Sequence, residues 1–382
     1  TNVATTNAAP RRAQLIRIPP MIYVHALYFI LLARECSGFG RSTSHAWSNA
    51  LGDCSSRMQT STRGGTRTHR IRSNSSYQPN QSQLYSSAVA VDVVKLKYTE
   101  YSKPSDASSS SAITKPPVLI VHGLLGQSRN FASLAQSLAA QLQFKRRIIA
   151  VDLRNHGESG HADSMSYTAQ AQDLLKVMDR EGMEEAVLVG HSMGGKVVKA
   201  AALLHPDRVA GLVVMDISPV RYETHEAHWG SVKETIESIV GVDLDSCGGG
   251  KRDVDMALRS SIADPALRAF ILTNLNECRD TGELSWKINI ESIASELDGI
   301  AGFEICNPDG SSIEETEGGL VYTGDVLFIK GGASKFVQNS HLETIQSYFP
   351  NYLLTSIRSA GHWLHAEAPE DTTAMLKRYL DR

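Results

Sequence analysis

Residues 187–198 read VLVGHSMGGKVV, an apolar run, then Gly-His-Ser-Met-Gly-Gly, then a second apolar run. A serine hydroxyl at neutral pH is a weak nucleophile, so Ser192 is chemically interesting only if the chain supplies a base, an acid to orient it and donors for an oxyanion. Gly190 and Gly194 bracket the serine in a G-x-S-x-G pattern, which a strand before it and a helix after it turn into an exposed-nucleophile turn. For that arrangement the order along the chain is serine, acid, histidine. His362 lies in SAGHWLHAEAP, between the last strand-like run and the last helix-like run, where the base is required. His365 is its near rival, and also reads as a surface histidine at a helix start.

The acid is less obvious. Its common position is the loop after the penultimate strand, here FIKGGASKFVQ (328–338), which contains neither Asp nor Glu. Asp325 begins that strand and so falls at the wrong end of the sheet. The earlier run VVMDISPV places Asp216 at a strand end beside the serine turn. A carboxylate there can hold an imidazole in one tautomer and stabilise the imidazolium. The competing reading is a turn aspartate before Pro219. Two backbone amides complete the set: Met193, which follows the serine, and Leu124 in HGLLG (122–126), with His122 reading as the residue that holds that loop.

These residues need a scaffold, and the pattern predicts an α/β one. VAVDVVKLKYTEY, PPVLIVHG, RRIIAVDLRNHG, EEAVLVG and VAGLVVMDISP read as strands. FASLAQSLAAQL, MSYTAQAQDLLKVMDREG and GGKVVKAAALLHP read as helices between them. Such alternation implies a mostly parallel central sheet with helices on both faces. Residues 220–320 break the rhythm, and DVLFIKGG and YLLTSIRSAGH then resume it before a closing helix, APEDTTAMLKRYL. That is the pattern of a helical cap, about 220–320, inserted before the last two strands. HEAHWG and SWKINI within it either line a pocket or pack the cap. His225 and His228 stand three apart, but no carboxylate or cysteine set accompanies them, so no metal is expected.

The run VHGLLGQSRNF, DLRNHGESGH, SYTAQAQDL, GHSMGGK, DISPV, FIKGGASKFV and GHWLHAEAP resembles one subgroup of the α/β-hydrolase superfamily of serine esterases. The subgroup comprises the small bacterial esterases of the HGLFG/GHSMGGK type and the abhydrolase domain-containing protein 11 group. The likeness spans roughly residues 91–382 and thins across 235–320. It implies Ser192 as nucleophile, His362 as base and the Asp of the DI-P strand end, Asp216, as acid. It also implies hydrolysis of a small-molecule carboxyl ester or thioester, through an acyl-enzyme and without a cofactor. A serine at the turn disfavours the dehalogenases and epoxide hydrolases of this fold, which need an aspartate there. An acyltransferase on the same triad, or a binding protein that keeps the fold without turnover, remain the alternatives.

Composition limits the rest. The 382-residue chain is 42% hydrophobic with a net charge of −3, but residues 1–90 hold ten Arg, no Lys and only Glu35 and Asp53, a balance of +8. The acidic remainder does not suit a nucleic-acid partner. Five scattered cysteines suit neither a disulfide framework nor a structural zinc site. The Arg-, Ser- and Thr-rich residues 1–90 suggest an organellar address, mitochondrion or plastid, with Met21 as a candidate start. Their apolar run MIYVHALYFILLA is shorter than the roughly 20 residues of a membrane span. Residues 34–90 are expected to be disordered, for lack of apolar content. SKPSDASSSSAITKPP (102–117) reads as a solvated loop. Oligomeric state is left open.

Overall fold

The computed structural model describes residues 92–103, 115–248, 250–307, 311 and 319–382. The N-terminal address, its apolar run and most of the Ser-rich insert lie outside the described residues. Nine strands are described: β1 (Tyr98–Ser102), β2 (Val118–Val121), β3 (Ile148–Val151), β4 (Ala186–His191), β5 (Val209–Met215), β6 (Leu275–Glu277), β7 (Leu284–Trp286), β8 (Val326–Gly331) and β9 (Tyr352–Ile357). Seven of them form one sheet in the order β1-β3-β2-β4-β5-β8-β9. Within this sheet, among the described strands, only β1 runs antiparallel to its neighbour.

The central strands are short β-branched and apolar runs buried on both faces, as in VLIV and IIAV. Because side chains alternate across a strand, each strand feeds two cores. Leu119, Val121, Ile149, Val151, Leu188, Val214 and Phe328 pack on one face, with α2 (Tyr167–Arg180) and α3 (Met193–Leu204). Val118, Ile120, Ile148, Val189, Val213 and Ile329 pack on the other, with α1 (Ala132–Gln141) and the last helix, Pro369–Leu380.

Of the expected long first strand, VAVDVVKLKYTEY, the described residues form a strand from Tyr98 onward. Before that the chain is tied down by side chains: Val94 N–H donates to Asp173 Oδ1 (2.9 Å) and Lys97 N–H to Ser159 Oγ (2.8 Å). Asp173 also closes a bidentate pair with Arg154 (2.7 and 2.9 Å), both side chains having no exposed surface. Arg154 in turn donates to the carbonyls of Asp92, Ser164 and Ala169, which locks the loop after β3 to α2.

Between β5 and β8 the chain leaves the sheet and forms α4 (Ala227–Val240), α5 (Lys251–Leu258), α6 (Pro265–Ile271), α7 (Ile290–Ser295) and α8 (Leu297–Ala301). The expected purely helical insertion also contains the β6–β7 hairpin, closed by Gly282 at a positive φ. Helix α9 (Leu342–Tyr348) connects β8 to β9, and the short α10 (Leu364–Glu367) follows β9.

Removing the charge of Asp173 leaves Arg154 buried and unbalanced. Asp173→Asn is expected to lower unfolding free energy by about 3 kcal/mol or more. Urea titration followed by far-UV circular dichroism measures it, and a loss below about 1 kcal/mol would contradict the assigned role.

Candidate active site

Strand β4 turns into α3 within one residue. Ser192 sits at φ 52°, ψ −123°, a strained conformation for a side chain with a Cβ. Two close backbone approaches hold the turn. A Cβ on Gly194 would lie 2.3 Å from the carbonyl oxygen of His122, and one on Gly190 would lie 2.3 Å from that of Gly194. Small residues at these two positions let α3 press against the end of β2 and present the Ser192 hydroxyl beyond the sheet edge.

Strand β5 lies next to β4 and ends one residue before Asp216. Asp216 also has a positive φ, 54°, which turns its carboxylate back over the sheet edge. Its side chain is fully buried and accepts on both oxygens. Oδ1 takes the N–H of Gly331 (2.9 Å), and Oδ2 takes the Ser334 hydroxyl and His362 Nδ1–H (2.8 Å). A carboxylate only accepts, so the proton on His362 is at Nδ1, and Nε2 is left to accept from the Ser192 hydroxyl at 2.9 Å. The three residues read from the sequence as nucleophile, acid and base therefore form one hydrogen-bonded chain.

The two competitors lie elsewhere. Asp325 precedes β8, at the far end of the strand from Gly331, where its carbonyl accepts from Leu212 N–H and the Tyr379 hydroxyl. His365 stacks on Phe131 at 4.3 Å between ring centroids, with Nδ1 enclosed and unpaired. It is a packing residue rather than the surface histidine its position suggested.

Leu124 and Met193 line the same pocket as Ser192, and outside the helices and strands no backbone acceptor is found for either amide among the described residues. Their loop is held by two histidines. Leu125, at φ 60°, donates its N–H to His156 Nε2 (3.1 Å), and Leu153 donates its N–H to His122 Nε2 (2.9 Å). Each ring directs Nδ1 at a carbonyl, that of Arg154 or Gly123. Both rings are therefore neutral with the proton on Nδ1. Burial pushes His156 down to about 3 and lowers His122 as well.

Three contacts escaped sequence reasoning. Ser334 stands in the loop that lacks a carboxylate and supplies a hydroxyl to Asp216 instead. Glu367 accepts from the amides of Gly361 and Trp363, bracketing His362. His191 donates from Nε2 to the His362 carbonyl at 2.8 Å. Among these only Ser334 carried a signal: it is the polar residue left in the loop where an acid was sought.

Above the serine lies a cavity of about 230 Å³. Its walls are Trp229, Val232 and Ile236 of α4, Phe270 of α6, and Phe336 and Trp363 from the sheet-edge loops. HEAHWG thus contributes His228 and Trp229 to the cavity, whereas SWKINI contributes none of its lining. His225 is exposed, and His228 is half-buried with Nε2 3.8 Å from Glu226.

With this fold and geometry, the chain belongs to the α/β-hydrolase fold family, which matches residues 116–234. It is 37% identical over 258 residues to the sn-1-specific diacylglycerol lipase ABHD11 of Mus musculus, covering 68% of this chain and 78% of that protein. Esterase YbfF of Escherichia coli (strain K12) is 31% identical over 265 residues, covering 69% of this chain and 93% of the esterase. The solved structure of a marine microorganism esterase is similar with a TM-score of 0.65 at 30% identity, covering 75% of this chain and 99% of that one.

His122, His156, His191 and His365 are all held with pKa values below that of a free imidazole, burial being the main cause in each. A depressed folded pKa means that the unfolded chain binds more protons once the pH drops below about 6.5. The stability these groups provide is present above that pH and is lost as pH falls toward the folded values. His365, pushed down to about 3, gives the cleanest test, because its Nδ1 has no partner to lose. His365→Phe should match wild type near pH 7.5 and be roughly 1–2 kcal/mol less acid-sensitive at pH 5, measured by urea unfolding at both pH values. An unchanged acid slope would refute it.

Proposed function

We propose that this carboxylic ester hydrolase of the α/β-hydrolase fold works through an acyl-enzyme on Ser192, with His362 as base and Asp216 as the acid that orients it. The observation that carries this reading is the hydrogen-bonded chain from Ser192 Oγ through His362 to Asp216, at 2.9 and 2.8 Å, opening into an apolar cavity. His362 Nε2 takes the serine proton as Oγ attacks the acyl carbon. Asp216 stabilises the imidazolium that results, without itself taking the proton. The oxyanion is met by the amides of Leu124 and Met193, and the start of α3 adds a favourable partial charge. The imidazolium then protonates the leaving alcohol. Water activated by the same imidazole releases the acid and restores Ser192.

The cavity also supports a substrate class. At about 230 Å³ it is smaller than the roughly 300–1,000 Å³ of sites that enclose a whole drug-sized ligand. It suits one apolar acyl chain, with the leaving group outside toward the sheet-edge loops. A carboxyl ester with one apolar acyl chain of limited length fits that division, and diacylglycerol, the substrate named for the ABHD11 relatives, is the polyol ester to set beside it.

Purified protein assayed on p-nitrophenyl esters from acetate to palmitate, and on diacylglycerol, tests the reading. Ser192→Ala should abolish fluorophosphonate labelling and cut kcat by at least about 10³-fold. Asp216→Asn should cut it by roughly 10³–10⁴-fold, because the imidazole loses its orienting carboxylate, while Asp325→Asn stays within about threefold. Loss of activity in Asp325→Asn alone would sink the assignment of the acid. Transfer of the acyl group to added alcohol in preference to water would show an acyltransferase instead.

A further inference from the structure

One turn along α3 from Ser192, the nucleophile helix carries a lysine into the interior. Lys196 is 1% exposed, yet its Nζ donates to three carbonyls: Ile300 (3.4 Å), Ala301 (2.7 Å) and Gly302 (2.6 Å). Three acceptors call for three N–H groups, which only the ammonium form possesses. The rings of Tyr222 and Tyr167 lie 4.8 and 5.7 Å from the nitrogen and add cation–π attraction. Burial pulls this lysine well below its ordinary pKa, and the carboxylate of Glu304 acts in the opposite direction. Glu304, the carboxylate that acts on it, is itself engaged by Arg221 at 2.7 Å.

The three carbonyls are the end of α8, the last helix of the cap, where unpaired C=O groups and the helix dipole both favour a cation. Two of them are shared. Ile300 O also accepts from the Tyr167 hydroxyl (2.6 Å), and Ala301 O from Tyr222 N–H (3.0 Å). Lys196, Tyr167 and Ile300 all line the cavity above Ser192. Since a helical turn rises about 5 Å, this part of the wall stands about that far along α3 from the serine. The cap is thus bolted to the nucleophile helix at a wall of the acyl cavity, by a buried lysine.

We propose that Lys196 is a specificity-setting positioning residue: by anchoring the end of α8 it fixes the Ile300 wall and so limits the length of acyl chain the cavity accepts. This rests on the esterase reading above. A lysine performs the task where an apolar side chain would not, because its Nζ donates to three converging carbonyls from one point. Releasing them lets the wall move away from the chain, and discrimination against long acyl groups weakens.

The test compares wild type, Lys196→Met and Ile300→Ala on p-nitrophenyl butyrate and dodecanoate, with fluorophosphonate labelling of Ser192 and circular dichroism on each protein. Lys196→Met is expected to raise the dodecanoate-to-butyrate ratio of kcat/KM by about tenfold, the scale on which a pocket discriminates methylenes. Ile300→Ala should move the ratio in the same direction, and Lys196→Arg, which keeps a cation there, should restore it at least in part. A ratio within twofold of wild type in folded Lys196→Met overturns the proposal, whatever the loss of stability. Should that variant not fold, Tyr167→Phe and Ile300→Ala decide: a raised ratio supports the anchored wall, and an unchanged one in both overturns it. Wild type that neither labels nor cleaves any ester overturns the esterase reading itself, and this assignment with it.

Discussion

A carboxylate with no exposed surface must be satisfied from within the protein, and the site is organised around meeting that demand for Asp216. The Gly331 amide, the Ser334 hydroxyl and His362 Nδ1 approach it from two different loops. Leaving any of these out would strand a charge in the interior, which is costly. The loops after β8 and β9 must therefore pack closely, as they do where Gly332 N–H meets Ile357 O and Ala333 N–H meets Ala360 O. Once both loops are seated, His362 has one place to stand, with Ser192 on its other side. The orientation of the imidazole is a consequence of how a buried acid is neutralised.

The same logic recurs around the pocket. At several points near Ser192 where backbone leaves regular structure, a polar side chain takes up the groups set free. His156 and His122 receive the amides of Leu125 and Leu153, Glu367 receives those of Gly361 and Trp363, and Lys196 covers the carbonyls that end α8. These residues touch no substrate in the proposed mechanism, yet they restrict the loops and the cap that do. Several are histidines that must stay neutral to accept a backbone N–H, which ties the geometry of the oxyanion loop to pH. Buried polar networks of this kind stabilise one arrangement strongly and tolerate partial disruption poorly.

Much of the scaffold was legible in the sequence because a parallel sheet covered on both faces writes itself as short, wholly apolar runs bounded by turns. VLIV and AVLVGH fall on strands within two residues of where their pattern places them, whereas the strand read over RRIIAVDLRNHG ends at Val151, before DLRNHG. Within the expected first strand the described pairing begins at Tyr98; the residues just before it are held at Val94 and Lys97 by the Asp173 and Ser159 side chains. The β6–β7 hairpin was missed since three-residue strands leave too little periodicity to detect. Ser192, Asp216 and His362 could be singled out by residue type and by position relative to strand ends. Glu367, His191 and Lys196 could not, as each is an ordinary residue on a helix or strand until a distant carbonyl or amide meets it.

The amino-acid sequence by itself determined which groups have the chemistry and roughly where on the sheet each must stand. Turn glycines, strand ends and the lack of an acid in residues 328–338 are local features, and local features survive in one dimension. Tertiary structure decided the rest: which of two histidines meets Ser192, which of two aspartates meets that histidine, which nitrogen of His362 carries the proton, and how the cap is fastened over the serine. Those outcomes depend on contacts between residues far apart in the chain, such as the 170 positions that separate Ser192 from His362. Such contacts are selected by the need to satisfy every buried polar group at once, a condition on the folded whole that no local stretch of sequence expresses.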